Sequence, residues 1–581
     1  MMEKPVRTLI DVLQRVADRQ ESGYSYVTED GTIHFESFHE LYRRASRIGL
    51  ALQAHGLKKG DRLGMILFDS QQFIDSFFGA LRVGVIPVPM SPPPARLGQS
   101  ETSLRHVAPV ITKAQPRLLL TDEHVQPLLE RLRDDAPLCS MRTLESLLRE
   151  IEPHHDCPAV ALSAEDTAFL QFTSGSTSQP KGVRLSHANL VANVQVIAQY
   201  GLQSTPEDYC VSWLPLYHDM GLIGKVLVPM YAGMRGVLFI PTGLFLKRPL
   251  SWLRYISRQQ GTITFAPNFA YNLCLTRAGA KSVEGLDLSS LRIAGCGAEP
   301  IRYEVLAAFA HTFQPYGLRA EALMPCYGLA EHTLAVSFSP MHTGMIVDHV
   351  WTEALARGEA TPVDESEVSA TVQEATASQH DVVHVVSCGR AFPGHESKIV
   401  DADGHPLPER RVGEILLRGP SVTQGYFEDA EATAATWRDG WLHTGDLGYL
   451  ADGNLYVCGR TKDLIIVHGR NYHPQDLEWE ASQTPGVRRG NVIAFGLEDP
   501  DMGRERVVIA VETSLSGEHH RQLQQAIRTR LLEALSLTVD HILLVPPHTL
   551  PKTSSGKLQR ARTRELFRSG KLGQPSDYPG D

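Results

Sequence analysis

The residues best suited to holding phosphate lie together in Thr173-Ser-Gly-Ser-Thr-Ser-Gln-Pro-Lys-Gly182. Small hydroxyl side chains and glycine let backbone N–H groups come close to phosphate oxygens, and Lys181 adds a positive charge. The spacing is not that of the kinase-like nucleotide loop. Gly175 stands six positions before Lys181, but Pro180 takes the place of that loop's second glycine and Gly182 that of its Ser or Thr. Lys557 ends another small-residue turn, Leu550-Pro-Lys-Thr-Ser-Ser-Gly-Lys557, and by composition alone belongs to a basic, solvated tail with Lys552, Arg560 and Arg562. The pair His218-Asp219 invites a metal or general-base reading, yet no third ligand is spaced to join it. Cys296 has no identifiable base and reads as a small strand residue. Gly295-Cys-Gly297 is a poor dinucleotide fingerprint, because Pro300 replaces the last glycine.

These groups need a scaffold, and 581 residues are too many for one ordinary domain. Ser37-x-x-Glu40 is a capping box that starts a helix with Leu41, Ala45, Ile48 and Leu52 in register. Phe73, Phe77 and Leu81 mark another helix, while Arg117–Thr121, Val85–Val88 and Thr167–Phe172 read as buried strands. The alternation predicts an α/β fold: a large N-terminal domain of mixed, largely parallel sheets flanked by helices. From about residue 460 the pattern restarts with strands at 464–467 and 507–511 and a helix holding Leu523, Ile527, Leu531 and Leu535. A large domain over 1–459 and a small α+β domain over 460–581 are expected. Between them in character is 343–384, rich in Glu, Ala, Thr and Ser with few strand signals, which reads as an insertion.

Composition narrows the function. With 56 basic and 66 acidic residues the net charge is −10, which gives no general affinity for nucleic acid or anionic membrane. Eight scattered cysteines without a CxxC pair argue against zinc or a disulfide framework and fit a reducing cytoplasm. The charged N-terminal stretch is unlike a signal peptide, and no apolar run reaches the roughly 18 residues of a membrane span.

TSGSTSQPKG resembles the phosphate loop of the adenylate-forming superfamily of acyl-CoA synthetases, adenylation domains and luciferases, and further motifs follow in that family's order from near residue 30 to near 565. The resemblance implies that Thr173, Ser174, Gly175, Ser176, Thr177 and Lys181 hold the phosphates of ATP. Gly297, Ala298 and Glu299 would lie against adenine. Cys326-Tyr327-Gly328 would place Tyr327 on the adenine ring, with Glu331 holding Mg2+. Asp446 and Arg460 would bind the ribose, Lys462 would be the pivot of a mobile C-terminal domain, and Lys557 would be the catalytic lysine. The chemistry asks for such groups: a carboxylate approaching the α-phosphate is anion meeting anion, so catalysis is positioning and charge stabilisation.

Trp213-Leu-Pro-Leu-Tyr-His-Asp-Met-Gly-Leu222 is very similar to a stretch of the fatty-acyl-AMP ligases, the branch that passes acyl groups to acyl carrier proteins. That resemblance puts His218 at the mouth of an acyl pocket walled by Trp213, Asp219, Met220, Gly221, Asn268 and Phe269. It implies a fatty acid substrate, and the 343–384 insertion matches the extra segment of that branch. Gly285-Leu-Asp-Leu-Ser289 lacks the contiguous Asp-Ser-Leu of a carrier attachment site, so the holo carrier protein is expected to be separate. Two other readings stay open: an acyl-CoA synthetase, and a catalytically silent adenylate-binding regulator.

Overall fold

The computed structural model describes residues 5–28, 30–92, 107–123, 125–130, 139–149, 151, 157, 160–173, 180–363, 382–467, 470–499, 504–535, 537–553 and 557–572. Its largest element is a nine-stranded sheet in the order Arg390–Ala391, Ala335–Phe338, Leu323–Gly328, Ile293–Cys296, Ile263–Ala266, Tyr209–Ser212, Gly236–Phe239, Gly23–Val27, Ile33–Ser37. The central strands pair in parallel and the outer ones antiparallel. A second, all-parallel sheet joins Ile86–Pro89, Arg62–Ile66, Leu118–Thr121 and Ser140–Arg142. This is the α/β architecture expected, and the capping box at Ser37 is present, with the Ser37 and Glu40 side chains each bonded to the other's backbone N–H.

An antiparallel sheet over Glu396–Arg460 follows, and then a small α+β unit. There Val492–Asp499 pairs antiparallel and His541–Val545 parallel with Arg504–Glu512, backed by the helix His519–Leu535. The fully buried apolar residues of this unit pack among themselves, starting at Ile465, whereas those up to Cys458 form separate clusters.

The insertion differs from its expectation. Val347–Trp351 and Val382–Val386 form an antiparallel hairpin with Val347 opposite Val386. Its strands are fixed by tertiary partners: Val350 and Val385 pack with Tyr449 and Tyr456, and the Tyr449 hydroxyl donates to Asp348 at 2.8 Å. Residues 364–381 lie outside the described residues. Among the described residues no helix is long and apolar enough to cross a membrane.

Candidate active site

Strands Thr167–Thr173 and Lys181–Ser186 form a hairpin with Thr173 opposite Lys181. Of the phosphate-loop candidates between them, Ser174, Gly175, Ser176 and Thr177 lie outside the described residues. The strand register still aims both loop ends at one place. The Lys181 ammonium sits 4.6 Å from the centre of the Tyr426 ring, and the Tyr426 hydroxyl donates to Glu331 Oε1 at 2.8 Å. Glu331 stands on a short 3-10 turn, Ala330–His332, whose carbonyl at Glu331 accepts from Thr423 N–H. Burial pushes its carboxyl up, and the Tyr426 hydrogen bond pulls it back. Tyr426 is its one side-chain hydrogen-bond partner among the described residues. A hard carboxylate oxygen near Lys181 is the donor type that suits Mg2+, which takes one or two carboxylates beside substrate phosphates and water.

Lys557 arrives from the far end of the chain. Its turn is closed by Thr553 N–H to the Lys557 carbonyl at 2.7 Å and Lys557 N–H to Thr553 Oγ1 at 3.1 Å. The Lys557 ammonium donates to the carbonyl of Ala298. Ala298 adopts φ +67°, a left-handed conformation costing a non-glycine residue about 1–2 kcal/mol. Beside it, a Cβ on Gly297 would stand 2.6 Å from Cys326 Sγ, so only glycine fits there. Glu299 and Asp219 both act on the Lys557 ammonium; burial raises both carboxyls, while Lys557 lowers them. Burial in turn lowers Lys557, opposed by Glu299 and Asp219. His218 is held down to about 3 by burial and by Lys557, so its ring is neutral at any working pH. One amine and two carboxyls thus meet in a crevice assembled from residues 219, 299 and 557.

Asp446 is gripped from two sides. The Tyr327 hydroxyl donates to Oδ2 at 2.6 Å and Arg460 Nε to Oδ1 at 3.0 Å. Strand pairing sets this up, because Asp446 lies opposite Arg460. Lys462 is exposed on the following 3-10 turn, Thr461–Asp463, where the small C-terminal unit begins. That unit is tied to the rest by Arg302 to Asp476 at 2.9 Å, and its own last helix is anchored by Arg560 to Asp463 and Glu478, each at 2.6 Å.

His218 caps the short helix Asp219–Leu222, and Met220 N–H bonds the Asp219 carboxylate at 2.7 Å. A Cβ on Gly221 would fall 2.2 Å from the Pro215 carbonyl, so the turn into this helix demands glycine. Phe269 N–H donates to Glu299 Oε1 at 2.5 Å, and Asn268 Oδ1 accepts from Arg302 N–H. Trp213, expected on the pocket wall, is 2% exposed and stacks on Phe245 at 3.9 Å, with Trp252 and Phe269 edge-on to it. It packs in the aromatic core and touches Phe269 of the expected pocket wall. Cys326 and Cys296 are also buried, the Cys326 thiol 3.2 Å from the Cys296 carbonyl; burial pushes both thiols up, leaving neither a nucleophile.

Residues 13–427 match the family of AMP-binding enzymes, and residues 462–576 match the AMP domain of Disco-interacting protein 2-like proteins. A solved structure from a study of fatty acyl-adenylate ligases of E. coli and L. pneumophila is 36% identical, with a TM-score of 0.89 over 98% of this chain and 99% of that one. The chain belongs to the AMP-binding enzyme family, in its fatty-acyl-AMP ligase branch. Its sequence is 33% identical to JamA of Moorena producens, named a medium-chain-fatty-acid–[acyl-carrier-protein] ligase, over 99% of this chain and 97% of that protein. A Caulobacter vibrioides protein, named only provisionally as an acyl-CoA synthetase, is 37% identical over 90% of this chain and 88% of its own length. The names of the ligase's relatives therefore divide over the acceptor thiol. Sequence reading of this ligase missed Tyr426, which bridges Glu331 and Lys181; its one signal is a lone tyrosine in the turn Gln424-Gly-Tyr-Phe427.

Proposed function

We propose that this ligase activates a medium- or long-chain fatty acid with ATP and then passes the acyl group to the phosphopantetheine thiol of a separate acyl carrier protein. The observation that carries the proposal is the Lys557 ammonium held at the Ala298 carbonyl beside Glu299, Asp219 and neutral His218. A cation delivered there by the C-terminal unit can bridge the fatty carboxylate and the α-phosphate. The carboxylate oxygen attacks the α-phosphorus, the bond to the bridging β-oxygen breaks, and pyrophosphate leaves. In the second half the carrier's sulfur attacks the acyl carbonyl as its proton is lost, and AMP departs with the C–O bond electrons.

The other roles are those the family resemblance implies. Gly297, Ala298, Glu299, Cys326, Tyr327 and Gly328 form the adenine side, and Asp446 with Arg460 takes the ribose. Thr173, the loop after it and Lys181 take the phosphates. Glu331, oriented by Tyr426, holds Mg2+, which when bound neutralises phosphate charge. His218, Asp219, Met220, Gly221, Asn268 and Phe269 surround the head of the acyl chain, while Trp213 supports them from behind. Residues 460–581 act as a lid pivoting at Lys462. All eight cysteines are free thiols, which supports a reducing, cytoplasmic setting.

The hairpin inside the insertion bears on the acceptor. Glu353, on the helix Thr352–Ala356 that follows its first strand, lies 3.8 Å from Arg470 of the C-terminal unit, which puts the insertion beside the lid. The test gives purified protein ATP, Mg2+ and a ladder of fatty acids, with CoA in one tube and holo carrier protein in another. Acyl-AMP and acyl-carrier without acyl-CoA is the expected result, and deleting 343–384 is expected to admit CoA. Efficient acyl-CoA formation by the intact chain would overturn the choice of acceptor and make it a CoA synthetase.

A further inference from the structure

Lys225 has no part in the chemistry above, yet it is only 2% exposed. It sits in the π-helical turn Ile223–Leu227, which continues directly from the helix that His218 caps. Single π turns of this kind recur at functional sites. The Lys225 ammonium lies 4.0 Å from the centre of the Phe265 ring, and the nearest titratable groups acting on it are the thiols of Cys210 and Cys326. Burial pushes both thiols up, so neither is an anion that could neutralise the lysine. Among the described residues no oxygen accepts a hydrogen bond from Nζ.

The sheet explains where this amine points. Ile263 pairs with Cys210 and Phe265 with Gly295 in parallel register, and alternation puts Cys210, Phe265, Gly295 and Cys326 on one face. Phe265 lies flat across the neighbouring strand because Gly295 has no side chain; a Cβ there would meet the ring at 2.2 Å. The Lys225 side chain covers this face, beside Phe265 and Cys326. Leaving an ammonium there without an anion or acceptor costs several kcal/mol, and an aromatic ring returns only about 2. A leucine or methionine would fill the space at no such cost. A ligand oxygen can supply the acceptor that the described residues do not.

Its position along the helix says which one. Seven residues separate His218 from Lys225, roughly 10 Å at about 1.5 Å per residue. With the carboxylate of the acid held at His218 and Lys557, a chain running along the helix reaches Lys225 about ten ångströms further on. We propose that Lys225 is a specificity residue that donates a hydrogen bond to a second oxygen function on the acyl chain, a hydroxyl, carbonyl or carboxylate several carbons beyond the carboxyl group being activated. This rests on the function proposed above.

The test is ATP–pyrophosphate exchange with decanoic, ω-hydroxydecanoic and decanedioic acids, using the whole chain and its Lys225→Leu and Lys225→Met variants. The expected result is at least a tenfold higher kcat/KM for one of the oxygen-bearing acids over decanoic acid, lost or reversed in both variants. Equal or better use of decanoic acid by the unmodified chain, with the ratio unchanged in the variants, overturns the proposal. Thermal shift with the free acids, without ATP, separates it from the proposed activity. If no acid supports exchange, the activity assignment fails. The Lys225 assignment then stands only if an oxygen-bearing acid raises the melting temperature of the unmodified chain more than of the variants, and falls if the shifts are equal.

Discussion

At Arg44 a half-exposed guanidinium closes over two buried carboxylates, and around Lys557 an ammonium meets two carboxyls, yet the clusters are finished differently. Glu36, Arg44 and Asp75 come from neighbouring elements within one stretch of chain. Arg44 reaches Asp75 at 2.7 Å and Glu36 at 3.2 Å, and the Tyr26 hydroxyl adds a bond to Glu36. Each carboxyl keeps a buried oxygen that takes no hydrogen bond from the described residues, the place for one shared proton. That cluster is closed. Around Lys557, Asp219 and Glu299 come from segments far apart in sequence and all three side chains keep surface open to the crevice. A closed cluster of buried charge holds a fold together, whereas an open one built from distant segments waits for a ligand's charges.

Activity and stability should therefore part company between the two. Lys557→Ala is expected to lower the rate of ATP–pyrophosphate exchange about a hundred- to a thousandfold, with a melting temperature no lower than that of the unmodified chain. A variant that melts earlier and keeps its rate would make Lys557 structural and dissolve the contrast. Arg44→Ala should do the reverse. Breaking a buried ion pair typically costs about 3–5 kcal/mol, but Arg44 is half exposed, so a loss on the order of 2 kcal/mol is expected in denaturant unfolding. The exchange rate per folded molecule should stay unchanged; a large drop would show that the Arg44 cluster communicates with the site.

A smaller effect sharpens the open side. Tyr426→Phe removes one hydroxyl donor from Glu331 and leaves the ring beside Lys181. Loss of a single hydrogen bond to a charged group is worth about 1.5–3 kcal/mol. Roughly a tenfold or greater fall in exchange rate is expected, with a higher Mg2+ concentration needed for half-maximal rate. A fall in rate with an unchanged Mg2+ requirement would detach Tyr426 from metal binding.

The parts of this molecule that can be read from sequence are those whose causes are local. The capping box at Ser37, the apolar face of the helix Ser70–Arg82 and the run that becomes Arg504–Glu512 carry their reasons within a few residues. Motif residues were legible as a set, because the family resemblance supplied their order. Their contacts were not. Tyr327 bonds Asp446 across 119 positions, and Tyr426 bonds Glu331 across 95. The family resemblance puts Trp213 on the pocket wall; its packing against Phe245 and Trp252, which no local pattern shows, buries it in the core. The insertion hairpin was invisible for the same reason, since Val347–Trp351 gains its strand partner only at Val382–Val386.

The smallest expected effect is the one that probes the closed cluster most directly. Burial, and next the charge of Glu36, push the Asp75 carboxyl up to about 8 from its ordinary 3.8, so the native pair keeps a proton that the unfolded chain gives up near pH 4. Between those values the unfolded state binds fewer protons, and stability must fall as pH rises. The stabilisation is complete below about pH 4 and is gone once pH passes the native value near 8. The slope for one whole proton is about 1.4 kcal/mol per pH unit, and because Arg44 favours the ionised form the observed slope should be a fraction of that. Asp75→Asn keeps a neutral side chain at every pH. Denaturant midpoints measured at pH 6, 7 and 8 should therefore decline for the unmodified chain and stay nearly level for the variant. If both decline in parallel, the proton is not shared at Asp75, and the Arg44 cluster is no more closed than the one around Lys557.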